Sequence, residues 1–151
     1  MTTETTVRRT NDRPVRPVVA TVLATGLLIV VAFQAALTLG APFGAAAMGG
    51  SNPGKLPDAV RLVTGFATLV WFLAAIVVMA RGGRALVPVP PAVAGVGTWV
   101  LVGLLGLGTV MNFASPSPWE RFGWGPFTLL MFGLCLVLAR SGSPRHPAAR
   151  R

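Results

Sequence analysis

The chain has 151 residues, 53% of them hydrophobic and 11% charged, with a mean hydropathy of +0.69. An ordinary soluble domain carries about 25% charged residues, so this composition excludes a water-exposed globule and makes the bilayer the natural solvent. The net charge of +9 does not indicate nucleic acid, because the Lys and Arg residues gather at the termini and in one short loop, with no basic groove interleaved with aromatics.

The first predicted element runs from Val18 to Gly40 without a charge. At 1.5 Å per residue it is long enough to cross a hydrocarbon core of about 30 Å. Arg8, Arg9, Arg13 and Arg16 before it resemble the basic start of a signal peptide, and Ala45–Ala47 a cleavage site. The apolar run exceeds the usual signal core of about 7–15 residues, which favours a retained helix. The second span starts near Pro57–Asp58, with Pro and Asp both suited to a first helical turn. Arg61 follows Asp58 at a spacing that lets the two pair. The span stops at the sequence RGGR, where Gly82 or Gly83 takes a left-handed cap. After the stiff stretch Val87–Pro91 comes a third span rich in small residues. Gly95, Thr98, Val102, Gly106 and Thr109 share one stripe. Gly95, Gly103 and Gly106 are therefore expected to form a helix-packing face. The fourth span ends at Ala139.

The expected fold is all-α: a transmembrane four-helix bundle, up-down-up-down, with spans about 17–40, 58–81, 92–113 and 118–140. Residues 1–16 and 141–151 are expected to be disordered basic segments. Ten of the thirteen Lys and Arg residues fall at the two termini or in the loop at Arg81 and Arg84. Lys55, Arg61 and Arg121 are the other three. That bias places both termini in the cytoplasm.

Chemistry is narrowed by elimination. Cys135 is the single cysteine, so no intramolecular disulfide forms. The single histidine, His146, lies in the tail. The four acids, Glu4, Asp12, Asp58 and Glu120, are scattered and leave the apolar run of every span free of a carboxylate. No metal site, phosphate loop or cofactor is expected, and the chain is expected not to be an enzyme. Gln34, Asn52, Lys55, Asn112, Glu120 and Arg121 fall at one face of the membrane and form a candidate outward polar cluster, capped by Phe43, Trp119 and Trp124. Each has a plainer role. Gln34 suits a bond between helices, Asn52 a turn, and the Trp pair an interfacial belt. Ser117, Pro118 and Glu120 have the spacing of a capping box with Pro at the first helical position. Whether Pro126 starts the last helix or kinks one beginning at Pro118 is open at this level.

The stretches GAPFGAAAMGGSNPGKLP and MNFASPSPWERFGWGP resemble a group of small bacterial four-span integral membrane proteins of unknown function. The likeness covers roughly Gln34 to Ala139. It implies the four-span layout and the bacterial inner membrane, and it brings no catalytic residue. The leading expectation is a non-enzymatic accessory or interaction protein of that membrane, partnered by lipid and by a second copy or another membrane protein. The alternative is a small-molecule or lipid binder or transporter with an outward-facing polar pocket.

Overall fold

The computed structural model describes residues 15–84 and 87–141; most of the two expected disordered segments lies outside these residues. Among the described residues all regular structure is helical. Helix α1 spans Val15–Thr38, α2 Asp58–Arg81 and α3 Pro91–Ala114. Helix α4, Gly125–Arg140, continues from a π-helical turn at Glu120–Trp124. Among the described residues four helices are long and apolar enough to cross a membrane.

The ends of these helices follow from local chemistry. Gly40 (φ 93°) closes α1: its N–H donates to Leu37 O at 3.0 Å, and the Ala41 N–H to Ala36 O at 2.9 Å. Gly83 (φ 79°) closes α2 in the same way, donating to Ala80 O, while Arg84 donates to Met79 O. Both are Schellman motifs, with glycine where the chain turns left-handed. Of the two glycines expected to cap α2, it is therefore Gly83 that takes the left-handed conformation. Arg61 pairs with Asp58 at 2.7 Å, and its Nε donates to Thr38 O at 2.9 Å, so one side chain joins the start of α2 to the end of α1.

Pro126 lies inside a helix that is already under way at 118. A proline lacks an N–H and collides with the carbonyl four residues back. The preceding turn widens instead, and the Gly125 N–H donates to Glu120 O, five residues back. The structure thus decides for a long helix accommodating Pro126 through a π turn.

α1 packs on α2 and α4, and α3 on α2 and α4. The core between them combines Leu23 and Leu27, Val78, Leu101 and Leu105, and Met131, Cys135 and Leu138. Gly26 has no Cβ where the Met131 thioether sits, which lets α1 and α4 approach closely. At one end Arg16 Nε donates to Ser141 Oγ, and buried Arg81 donates to Ala139 O, each at 3.0 Å. At the other end Leu37, Ala47 and Leu56 form a small second core under the first connecting loop. Only 17–28% of each candidate span is buried within the protein. Large side chains such as Leu62 (78% exposed), Phe66 and Val96 face outward. Water would penalise such a surface heavily, whereas lipid chains solvate it.

Candidate functional site

The second core and the π turn bound a half-enclosed cleft of about 200 Å³. Its walls are apolar and come from all four helices: Leu27, Val30 and Phe33 from α1, Trp71 from α2, Leu104, Leu105 and Gly108 from α3, and Phe127 and Met131 from α4. Trp124 of the π turn joins them, its ring 4.7 Å from Phe33 and 5.5 Å from Phe127. Ala46, Ala47 and Met48 of the first loop complete the lining.

Three of the six residues of the predicted polar cluster meet here: Gln34, Asn112 and Glu120 all line the cleft. Asn112 Nδ2 donates to Thr128 Oγ1 at 3.3 Å. The Thr128 hydroxyl in turn donates to Trp124 O at 2.8 Å, a carbonyl of the widened turn. Gln34 Oε1 is buried and meets no hydrogen-bond partner among the described residues. Lys55 and Arg121 are exposed, and neither they nor half-buried Asn52 lines the cleft. Of the predicted aromatic cap, Trp124 lines the cleft. Phe43 stacks on Phe33 at 6.5 Å, and Trp119 is 67% exposed on a shallower neighbouring surface.

The expected capping box forms only by half. Glu120 N–H donates to Ser117 Oγ at 3.4 Å, as the spacing predicts. The return bond is replaced: Ser117 N–H donates to Ser115 Oγ at 3.0 Å, which leaves the Glu120 carboxylate unspent. It reaches across to the first loop, where both of its oxygens accept the Gly49 N–H, at 3.1 and 3.2 Å. The left-handed turn at Met48 (φ 52°) and Gly49 (φ 73°) accompanies this contact. Ser117 Oγ donates to Ala45 O at 2.7 Å and adds a second tie between the loops. Glu120 is 9% exposed, and among the described residues no cation pairs with it.

The glycines expected on one packing face divide. A Cβ on Gly106 would meet the Phe132 ring at 3.2 Å, so this glycine seats α4 within the bundle. A Cβ on Gly95 or Gly103 would meet nothing within 4 Å. Thr98, Val102 and Thr109 of the predicted stripe are buried.

Sequence reasoning missed Trp71, Met48, Thr128 and the Gly49 amide as parts of this site. The hydroxyl of Thr128, in an otherwise apolar stretch of the last span, was the one legible signal among them. No three His, Cys, Asp or Glu side chains come together among the described residues. The arrangement offers a greasy slot with hydrogen-bond acceptors beside it, suited to holding an amphipathic molecule. No family model, curated protein or solved structure matches the chain.

Proposed function

We propose that the chain is a multi-pass protein of the bacterial inner membrane that binds an amphipathic small molecule or lipid in this cleft, without transforming it chemically. The observation that carries the reading is Gln34 Oε1, buried beside an apolar slot with no partner. An orphaned buried acceptor costs about 1–3 kcal/mol, and a bound polar head relieves that cost. The apolar walls and the aromatic rings then take the tail.

The test uses Gly108, where a Cβ meets nothing within 4 Å although the residue lines the cleft. Gly108→Leu sets its Cβ in open space, projects the rest of the side chain into the slot and improves helix propensity. Native mass spectrometry of protein extracted from membranes is expected to find a small molecule retained by the parent chain and lost from Gly108→Leu. Equal retention by both sinks the reading.

Up-down-up-down topology with cytoplasmic termini belongs to the same proposal, and the bias of Lys and Arg supports it. A reporter active outside the cytoplasm should work when fused after residue 52 or 115 and be silent after residue 84. The interaction reading has one observation in its favour: exposed Gly103 leaves a notch among the exposed Trp99, Val100 and Leu107. It predicts that Gly103→Leu changes the oligomer size or the set of co-purifying proteins.

A further inference from the structure

Resting on the cleft reading, we infer that the occupant of the cleft is a lipophilic organic cation carrying N–H donors, with Glu120 as its countercharge. The two described acids differ in this respect. Asp58 is exposed and paired with Arg61 at 2.7 Å. Glu120 is nine-tenths buried and lines the slot, and the protein partner of its carboxylate is one shared backbone N–H. An ionised carboxylate has about four acceptor positions. A buried charge is stable when it is paired as well as hydrogen-bonded.

The charge in the cleft lining, that of Glu120, selects against an anion. The Thr128 hydroxyl and one N–H of Asn112 Nδ2 are committed within the protein, whereas Gln34 and the indoles of Trp71 and Trp124 also bring N–H donors to the lining. Acceptor capacity stays open on Glu120 and on Gln34 Oε1. A phosphate or carboxylate head would face the like charge of Glu120. An ammonium finds two acceptors and the rings of Trp71, Trp124, Phe33 and Phe127, which line the same slot. Aromatic faces attract cations, most strongly where water is excluded. A neutral alcohol donates a single hydrogen bond and forgoes the charge pairing.

The full chain is reconstituted in nanodiscs of zwitterionic lipid. 3-Phenylpropylammonium and the uncharged 3-phenylpropanol are titrated against thermal midpoint and tryptophan fluorescence, with empty nanodiscs as the partition blank. The ammonium is expected to bind about tenfold or more tightly than the alcohol, since a hydrogen bond to a charged group is the stronger one. Glu120→Gln keeps an oxygen for the Gly49 N–H and removes the charge, so it is expected to abolish that preference. Gly108→Leu keeps Glu120 and is expected to bind neither probe. A preference well below tenfold in the parent chain, with alcohol binding that Gly108→Leu removes, overturns the cation inference and leaves the amphiphile cleft standing. So does a preference that survives in Glu120→Gln. If neither probe binds, or if both bind Gly108→Leu undiminished, the cleft reading itself falls. The parent-chain ratio decides the inference even if Glu120→Gln does not fold.

Discussion

The contact between Glu120 and Gly49 should behave as a latch between the two loops at the cleft, and Glu120→Ala opens it. The substitution deletes a charge-assisted hydrogen bond shared by both carboxylate oxygens, worth about 1.5–3 kcal/mol. Gly49 is half-buried, so water takes over part of the abandoned N–H and the lower half of that range applies. Relaxation of Met48 from its left-handed conformation recovers about 1–2 kcal/mol once the turn lets go. That relaxation is common to parent and variant, so the lost hydrogen bond sets the difference between them, while Ser117 Oγ on Ala45 O and the Gly44 N–H on Gly54 O resist opening in both. The expected result is local: amide hydrogen exchange over 44–50 rises about tenfold or more, since about 1.4 kcal/mol is a factor of ten. Exchange in the core of α1 and α3 stays as it was. Glu120→Gln, which can still accept from Gly49, should rise much less. Unchanged exchange over 44–50 in Glu120→Ala, or an equal rise throughout the chain, would refute the latch.

Two further outcomes follow from residues away from the cleft. Gly82 and Gly83 are adjacent but should fail differently. Gly83→Ala meets no neighbour but must hold φ 79°, which costs about 1–2 kcal/mol, and Gly83→Asn should recover part of that loss. Gly82→Ala has an ordinary φ but drives its methyl into the Ala20 side chain, so Asn there gives no recovery; unfolding midpoints of the four variants check the contrast. Cys135 is fully buried in the four-helix core, so a maleimide should label it only after denaturation, as read by intact mass.

The helices were legible because uninterrupted apolar runs leave little else for the chain to do in lipid. The Asp58–Arg61 pair was legible because it needs only its own helix. What the sequence concealed depends on contacts made at a distance. The Ser117-to-Glu120 spacing is the same whether the carboxylate turns back on its own helix or crosses to Gly49, 71 residues away. Only the competing Ser115 hydroxyl and the turn at Met48–Gly50 decide between these. Gly103 and Gly106 were indistinguishable for another reason. Most sides of α3 are apolar, with Val96, Val100, Leu107 and Val110 exposed and Leu101 and Leu105 buried. No polar face marks which glycine turns inward. Gln34 and Asn112 could be placed at one depth of the membrane from the sequence, but their convergence required α1 and α3 each to pack against α4.

The π turn links the fold to the site, and its role can be separated from the need to accommodate Pro126. One extra residue in a turn rotates everything before it by about 100° relative to everything after, because an α-helix advances 3.6 residues per turn. Here that rotation lies between Ser117–Glu120, which grip the first loop, and Phe127–Met131, which line the cleft from α4. Gly123 is exposed, and its Cβ position is empty. Deleting Gly123 should restore an α-helical path, swing Glu120 away from Gly49, and expose the full cost of a helix-interior proline, about 3 kcal/mol. Combining the deletion with Pro126→Ala removes that cost. The double variant should therefore melt near the parent chain yet exchange rapidly over 44–50, as Glu120→Ala does, and lose the ammonium preference. Slow exchange and parent-like binding in the double variant would mean that the widened turn only makes room for Pro126, and that Glu120 finds Gly49 without it.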